Sequence, residues 1–247
     1  MIEKIKVLLT RYTLEEIRFE LLKVIAKIVF PKYRFMWPQL YWWENEEFND
    51  YLDKFGERKK NNTDRRWMLS ELLRLTVSIP GNTVECGAYK GASSYLVCKF
   101  NKSRCIDKTH YIFDSFEGLS EPGIEDGVYW QEGDLCSEEN KLMTSLNEFE
   151  NYKIFKSWIP DKFYSLEKET FSFVHIDVDL YQPTYDSIDF FYSRLNKGGV
   201  LVCDDYGISK CPGATKAIDD YLADKIEKMI SLNCGGGFFI KGIKVSD

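Results

Sequence analysis

The 247-residue sequence has only two histidines and no Cys-x-x-Cys pair, so it lacks the common ligand pattern of a zinc site. Its seven cysteines are odd in number and scattered along the chain, at positions 86, 98, 105, 136, 203, 211 and 234. This distribution is typical of reduced thiols in a cytoplasmic protein and not of a disulfide framework. No apolar run reaches the roughly 18 residues of a membrane-spanning helix, and we expect no signal peptide.

Basic residues are also fewer than acidic residues. The chain has 33 Lys and Arg against 39 Asp and Glu, a net charge of -6, which disfavours non-specific binding to nucleic acid. Apolar residues make up 44% of the sequence and aromatic residues 15%, so a large core can form. The length suits one large α/β domain with a helical extension.

Residues 1–79 are predicted to form a helical extension or cap. Apolar residues at positions 14, 17, 21, 25 and 28 fall on one helical stripe, and Pro31 is expected to end that helix. An aromatic stretch, 35–43, follows, and Lys and Arg exceed Glu over the first 34 residues. The pattern favours packing on the main domain or on a second subunit of a homo-oligomer, with a peripheral membrane contact as the alternative. A further helix is predicted near 64–77, with Asp64 as its cap.

From residue 82 onward, short apolar strands alternate with helical segments, which predicts an α/β domain over 80–247 with a mostly parallel sheet. Seven strands are predicted at 82–86, 109–114, 152–156, 171–177, 199–204, 227–232 and 237–243. Helices near 91–100, 137–149, 181–196 and 213–225 are expected to cover both faces of the sheet. Three consecutive glycines, 235–237, predict an antiparallel hairpin between the last two strands.

The stretch Thr83–Ser94 predicts a strand, a glycine turn and the start of a helix. Gly87 and Gly91 would let the backbone approach a ligand, and Asp114 ends the next strand, where it would bind a ribose diol. A dinucleotide loop needs Gly-x-Gly-x-x-Gly, whereas these two glycines stand four apart. Because Glu85 would repel phosphate, the stretch favours a cationic cofactor such as S-adenosylmethionine over a nicotinamide dinucleotide. An ordinary strand-to-helix turn is the alternative.

Two later strands end in acidic residues, Asp177 in one and Asp204 and Asp205 in the other. If these strands are parallel neighbours, their carboxylates meet at the sheet edge that also holds Gly87 and Asp114. Grouped carboxylates repel one another unless a cation lies between them, and Mg²⁺ prefers such oxygen ligands. The sequence therefore predicts a magnesium site, with a helix cap and solvated acids as the alternative.

A general base is predicted in the same cluster. Asp177 or Asp179 would accept the proton of a substrate hydroxyl. His175 shares a strand face with Asp177 but lies two residues deeper, and we interpret it as a buried hydrogen-bonding residue of the core.

Several motifs, in this order along the chain, resemble the macrocin O-methyltransferase family. They are Val84–Gly91, Asp114–Leu119, Gly133–Leu135, Trp158, His175–Tyr181, Arg194–Gly199, Asp204–Gly207, and Cys211–Gly213 with Ala217–Asp219. The resemblance runs from about Asp64 to the C-terminus. It implies a Rossmann-like class I methyltransferase fold, the cofactors S-adenosylmethionine and Mg²⁺, and methyl transfer to a sugar hydroxyl. The acceptor would be a natural-product deoxysugar or a surface-polysaccharide sugar, presented as a sugar or nucleotide-sugar.

Carried over by position, the resemblance implies a cofactor site made of Glu85, Gly87, Ala88, Tyr89, Gly91, Asp114, Ser115, Phe116, Gly133, Asp134 and Trp158. It implies a metal site of Asp177, Asp204 and Asp205. The sequence departs from the family pattern at Cys86, at Tyr89-Lys90 and at Lys156–Trp158, which leaves the acceptor open. Another diol acceptor is one alternative, although catechol-type enzymes commonly carry Lys where this chain has Leu180. A non-catalytic docking scaffold is the other.

Overall fold

The computed structural model describes residues 13–29, 40–58, 62–104 and 107–246. The chain divides into two compact units, residues 1–58 and 59–247. This division falls earlier than residue 80, where the sequence pattern places the start of the main domain. The helix that precedes the sheet therefore belongs to the larger unit.

The smaller unit contains helix α1 (Leu14–Val29) and helix α2 (Glu46–Phe55). The side chain of Asn45 caps α2, because its Oδ1 accepts a hydrogen bond from the backbone N–H of Phe48 at 2.9 Å. Gly56, with φ +64°, ends the same helix in the left-handed conformation that glycine adopts without strain.

The predicted apolar stripe lies on α1 and is exposed. Leu14 and Leu21 are each 63% exposed, and Ile28 is 78% exposed. The helix end predicted at Pro31 and the first part of the aromatic stretch lie outside the described residues. The contact of this stripe with the main domain, a second subunit or a membrane stays a prediction.

The larger unit begins with helix α3 (Thr63–Leu73) and continues into a seven-stranded sheet. The strands are β1 (Asn82–Cys86), β2 (His110–Asp114), β3 (Tyr152–Lys156), β4 (Phe171–Ile176), β5 (Leu195–Cys203), β6 (Ile230–Ser231) and β7 (Gly237–Ile240). Between and after them lie helices α4 (Ala92–Ser103), α5 (Glu139–Ser145), α6 (Tyr181–Tyr192) and α7 (Pro212–Leu222). The strand order is β3-β2-β1-β4-β5-β7-β6. Strand β7 is antiparallel to both of its neighbours, and the other neighbouring pairs are parallel.

This architecture confirms the predicted α/β class, the mostly parallel sheet and the closing antiparallel hairpin. The first four strands agree with the predicted bounds to within one residue. Strand β5 starts at Leu195, before the predicted 199, β6 covers only Ile230–Ser231 of the predicted 227–232, and β7 ends at Ile240, before the predicted 243. These differences are at strand ends, where backbone pairing rather than side-chain pattern sets the limit.

One face of the sheet is apolar and aromatic. The ring centroid of Phe163 lies 4.9 Å from that of Phe113 and 4.8 Å from that of Phe191, a residue of α6. Ile218 of α7 is fully buried in the same cluster, so α6 and α7 cover this face. Burial of these large side chains is the main source of stability for the sheet.

The other face of the sheet is partly polar. Glu85 of β1 and His175 of β4 alternate away from the aromatic cluster and are fully buried, beneath Ser94 of α4. Helix α3 packs against α4 and β5 on this side. Helices therefore cover both faces, as predicted. In the described part of the chain, no helix has the length and apolar character needed to cross a membrane.

Candidate active site

The glycine turn after β1 has no room for side chains. Gly87 has φ +83°, and a Cβ built there would lie 1.8 Å from the carbonyl oxygen of Asp177. Gly91 has φ +86° and precedes α4, where a Cβ would lie 2.5 Å from Leu142 Cδ1. Both positions thus require glycine. The first contact shows that the turn lies directly against the end of β4.

Asp114, at the end of β2, holds two loops together. Its Oδ2 accepts the backbone N–H groups of Ala88 and Tyr89, each at 2.8 Å. Its Oδ1 accepts the backbone N–H of Phe116 at 2.7 Å. A carboxylate offers about four acceptor positions, so one is left for a ligand hydroxyl. Asp114 therefore shapes the predicted cofactor loop in addition to any ribose contact.

The remaining predicted cofactor residues gather around the same strand end. Ser115 Oγ donates to Gly118 O at 3.2 Å, and Phe116 is buried. The segment 133–134 pairs with Leu119: Gly133 N donates to Leu119 O at 2.9 Å, and Leu119 N donates to Asp134 O at 2.8 Å.

Trp158 and Tyr89 border this strand end from two other segments. Ser157 N donates to Asp114 O at 3.0 Å, which brings the neighbouring Trp158 beside β2. Trp158 is 38% exposed and Tyr89 is 40% exposed, and Tyr89 has φ +50°. Two half-exposed aromatic rings at the carboxyl edge of a parallel sheet are positioned to contact a ligand.

Glu85 has partners that differ from the predicted ligand contact. Its carboxylate is fully buried, its Oε1 lies 2.8 Å from Nδ1 of His175, and Ser94 Oγ donates to its Oε2. Burial raises the pKa of Glu85, but hydrogen bonding to His110 and His175 outweighs it and holds the pKa well below its usual range. His175 makes the short contact, whereas His110 Nε2 lies 3.7 Å from Oε2. His175 is a buried hydrogen-bonding residue, as predicted.

The acidic residues after β4 and β5 meet at one edge of the sheet. Oxygens of Asp177 and Asp204 and a ring nitrogen of His175 lie within 4.8 Å of one another. Backbone pairing fixes this arrangement: Asp177 N donates to Cys86 O at 2.8 Å, and Asp204 N donates to Ile176 O at 2.9 Å. The predicted convergence of the two strand ends is therefore present.

Asp205 belongs to an adjoining group. Oxygens of Asp179 and Asp205 and the sulfur of Cys211 lie within 4.8 Å of one another, and Asp179 N donates to Asp205 Oδ2 at 2.9 Å. Asp179 has φ +61°, a conformation that aspartate tolerates better than most residues. The predicted metal set is thus divided between two adjoining groups, with Asp205 beside the predicted base Asp179. We call the four carboxylates of Asp177, Asp179, Asp204 and Asp205 the acidic edge.

Two arginines of α3 lie beside the acidic edge, and the sequence analysis missed both. Arg65 Nη1 lies 2.5 Å from Asp204 Oδ2 and donates to Asp204 O at 2.9 Å. Asn62 Oδ1 accepts from Arg65 Nη2 at 2.7 Å and orients the guanidinium. Arg66 Nη1 lies 3.8 Å from Asp177 Oδ2. The sequence shows only that the pair precedes β1 on a helix, and this does not indicate a contact as distant as that of Arg65 with Asp204, 139 residues away.

A family model described as Macrocin-O-methyltransferase (TylF) matches residues 71–239. The chain belongs to this family. In this macrocin O-methyltransferase family member, the matched segment contains the glycine turn and the whole acidic edge. The two arginines of α3 precede it.

Two curated relatives come from Streptomyces. The chain is 26% identical over 177 residues to the demethyldecarbamoylnovobiocin O-methyltransferase of Streptomyces niveus. It is 27% identical over 165 residues to the 8-demethyl-8-(2,3-dimethoxy-alpha-L-rhamnosyl)-tetracenomycin-C 4'-O-methyltransferase of Streptomyces olivaceus. The chain spans 66% and 60% of the length of these two relatives.

Among solved structures, a calicheamicin methyltransferase, CalS11, has a TM-score of 0.69 at 16% identity, over 94% of this chain and 95% of that one. At this identity the likeness shows the fold alone. The fold of this family member is accordingly a Rossmann-like class I methyltransferase sheet.

The four carboxyl groups of the acidic edge in this family member differ in pKa. Burial and the neighbouring Asp204 raise the pKa of Asp177 to about 7, although Arg66 lowers it in part. Burial raises the pKa of Asp179 to about 6, and burial together with Asp179 raises that of Asp205 well above its usual range. Burial would also raise the pKa of Asp204, but His175 and Arg65 hold it well below its usual range. Repulsion therefore persists at this edge despite the two arginines.

A hard divalent cation fits this donor set. The acidic edge offers carboxylate oxygens of four residues against two guanidinium groups, which leaves two negative charges when all are ionised. One divalent ion would balance them, and Mg²⁺ prefers carboxylate oxygens. Arg65 engages Oδ2 of Asp204, and Oδ1 lies 3.8 Å from Nε2 of His175.

Proposed function

We propose that the protein is an S-adenosylmethionine- and Mg²⁺-dependent O-methyltransferase that acts on a sugar hydroxyl. The observation that supports this best is the contact between the glycine turn and the acidic edge. Gly87 lies so close to Asp177 O that no Cβ fits between them, so a cofactor beside the turn and an ion at the acidic edge would be neighbours. Family membership supports the methyl donor.

Each residue of the site would have a distinct role in the reaction. When bound, S-adenosylmethionine supplies an activated methyl group, and Mg²⁺ supplies a Lewis acid that lowers the pKa of a hydroxyl. Asp114 and the glycine turn would hold the donor, and Trp158 and Tyr89 would border it. Asp177, Asp204 and Asp205 would hold the ion, and Asp179 or Asp177 would accept the hydroxyl proton. Both candidate bases have a raised pKa, which suits proton transfer near neutrality.

The proposed acceptor class rests on the printed names of the relatives. One is named for the 4'-O-methylation of a rhamnosyl group and the other for a novobiocin precursor. By extension we propose a sugar or nucleotide-sugar acceptor for this chain, in the synthesis of a natural product or of a surface polysaccharide. A cytoplasmic location, homo-oligomer formation through the N-terminal region and its peripheral membrane contact stay predictions.

The proposed function is tested with a panel of nucleotide-sugars, free glycosides and catechols. The protein is incubated with each, with methyl-labelled S-adenosylmethionine and with Mg²⁺, and mass spectrometry detects transfer. We expect a labelled methyl ether on a sugar and loss of the product with EDTA, restored by added Mg²⁺. Transfer to catechols alone would favour the diol alternative, and rates indifferent to EDTA would contradict the metal.

Asp114→Ala is expected to weaken S-adenosylmethionine binding by about tenfold or more, because it removes a charged ribose partner and releases three backbone N–H groups. Calorimetry with S-adenosylhomocysteine measures this. Asp114→Asn keeps the shape and one acceptor and should lie between the two, while Glu117→Gln, on the same loop and exposed, should not change the affinity. Unchanged affinity in Asp114→Ala would refute the ribose assignment.

Mg²⁺ affinity is expected to rise with pH, by about tenfold between pH 6 and pH 8. The direction follows from Asp177 and Asp179, whose pKa values are raised to about 7 and about 6, so protons compete with the ion at low pH. Calorimetric titration with MgCl₂ at pH 6, 7 and 8, in buffers of different ionisation enthalpy, gives both the affinity and the number of protons released. A dissociation constant that does not change with pH would place the ion elsewhere.

A further inference from the structure

One buried carboxylate, that of Asp126, has no part in the site described so far. It lies in the loop between β2 and α5 and is 4% exposed. Gly123 N donates to its Oδ2 at 2.7 Å, and Tyr181 N, at the start of α6, donates to its Oδ1 at 2.6 Å. A Cβ on Gly213, in the first turn of α7, would lie 1.8 Å from the same Oδ1. One side chain therefore connects the loop to the starts of two helices.

A negative charge suits this position. The first backbone N–H groups of a helix lack partners within the helix and carry partial positive charge. Neither α6 nor α7 has a side-chain cap at its own N-cap residue or an acidic residue in its first turn. Asp126 supplies that charge to both from a distant part of the sequence. Gly213 is required for the approach, since alanine would place a methyl group on the carboxylate.

The loop continues from Asp126 to the acidic edge. Trp130 Nε1 donates to Cys211 Sγ at 3.3 Å, and Cys211 Sγ lies 3.5 Å from Asp179 Oδ1. Tyr129 OH accepts from Lys210 Nζ at 3.0 Å. The segment Gly123–Trp130, which we call the loop wall, therefore ends beside the proposed base.

Apolar burial does little to hold the loop wall. Ile124 and Val128 are each 99% exposed, and Tyr129 is half exposed. The inner fixed points are the carboxylate of Asp126 and the indole of Trp130, since the contacts of Tyr129 with Lys210 and of Glu125 with Lys216 lie at the surface. Because the hydrogen bond from Trp130 ends on a neutral thiol, a weak acceptor, the charged contacts of Asp126 are the stronger of the two.

We infer that Asp126 is a positioning residue that fastens the loop wall over the acidic edge, so that Tyr129 and Trp130 line an acceptor subsite beside Asp179. Aromatic side chains next to a base suit the C–H face of a sugar ring. The acceptor part of this inference rests on the proposed function, whereas the fastening does not.

The fastening is tested without any acceptor. Cys211 is 3% exposed beneath Trp130, and Cys136 is exposed and serves as an internal reference. Iodoacetamide is added to wild type, Asp126→Ala and Asp126→Asn, and mass spectrometry follows alkylation of Cys211 relative to Cys136. We expect alkylation of Cys211 to be about tenfold faster in Asp126→Ala, with Asp126→Asn in between, and hydrogen exchange over residues 119–131 to rise in parallel.

Glu125→Gln is the matched control, since Glu125 is the exposed neighbour of Asp126 and its ion pair with Lys216, 4.0 Å long and at the surface, contributes little. It should leave both readouts unchanged. Gly213→Ala should reproduce the effect of Asp126→Ala by displacing the carboxylate. Equal Cys211 reactivity and equal exchange in Asp126→Ala and Glu125→Gln would overturn the fastening, and Asp126→Asn decides the matter if the alanine variant does not fold.

The acceptor part is read from kinetics with thymidine diphosphate rhamnose and methyl rhamnoside as probes. We expect KM for the probe to rise about tenfold in Asp126→Asn, with kcat changed less than about threefold and the affinity for S-adenosylhomocysteine unchanged. A looser loop with an unchanged KM would overturn the acceptor subsite. If wild type methylates neither probe, a rhamnose is not the acceptor and the acceptor part of the inference fails with it, whereas the alkylation result still decides the fastening.

Discussion

Asp204→Asn is expected to lower the rate of methyl transfer by about 10³-fold or more while changing the affinity for S-adenosylmethionine less than about threefold. Asp204 directly follows β5 in the acidic edge, and its pKa is held well below the usual range, so it is the carboxylate that stays ionised there. Asparagine keeps the shape and the backbone carbonyl that Arg65 binds at 2.9 Å, but it loses the charge. The donor loop on β1 and β2 does not depend on this side chain.

Single-turnover kinetics and calorimetry measure the two quantities separately. Asp189→Asn, an exposed aspartate of α6, is the matched control and should behave as wild type. Titration with MgCl₂ should show that Asp204→Asn binds the ion at least about tenfold more weakly. Full turnover in the variant, or loss of donor binding equal to the loss of rate, would contradict the role given to Asp204.

His175→Leu is expected to lower the free energy of unfolding by about 3–5 kcal/mol, because it leaves the carboxylate of Glu85 buried without the imidazole that contacts it at 2.8 Å. For a chain of this size, that corresponds to a melting temperature lower by roughly 10 °C. Glu85→Gln should cost less in the His175→Leu background than in wild type, since the two side chains interact directly. Chemical denaturation of the four proteins measures that coupling.

The same pair sets a dependence of stability on pH. Burial lowers the pKa of His175, but Asp204 and Glu85 raise it to about 10, against an ordinary value of 6.5. Its contribution to stability is therefore complete below pH 6.5 and is lost as the pH rises toward 10. Glu85 has a lowered pKa, so its contribution is present above its ordinary value of 4.5 and is lost in acid.

Unfolding free energies at pH 6, 7.5 and 9 test this sign. Wild type should lose stability over that range more steeply than His175→Leu, because the variant has no imidazole to titrate. Asp177, whose pKa is raised to about 7, acts in the same direction mainly between pH 6 and pH 7.5, so the change between pH 7.5 and pH 9 reports on His175. Parallel curves for the two proteins would show that His175 is not charged in the folded state.

Much of the sheet could be predicted because it depends on short-range pattern. Strands β1 to β4 are short segments rich in aromatic and β-branched residues and bounded by turns, and the sequence pattern predicts their bounds to within one residue. The strand-end rule for parallel sheets also predicts that Asp177 and Asp204 lie together, as they do in the structure. A need for glycine at position 87 is also predicted from its place in the turn at a strand end. The atom that it lies against, Asp177 O, is not predicted.

The contacts of charged side chains could not be predicted, because they join residues far apart in sequence. Arg65 and Asp126 are ordinary polar residues by pattern, and each binds an element that only the fold brings near. For Glu85, the sequence pattern predicts a ligand contact that the side-chain direction does not favour. Its place before the glycine turn indicates a ligand contact, whereas alternation along β1 directs the carboxylate into the core toward His175.

The position of α3 has a practical consequence for defining the smallest folded unit of this protein. A chain shortened to begin at residue 80 would keep every strand and the whole acidic edge, yet it would lack both guanidinium groups that α3 brings to it. Buried negative charge without counter-charge is strongly destabilising. Any truncation intended to isolate the sheet should therefore retain the residues from 59 onward, where the larger unit begins.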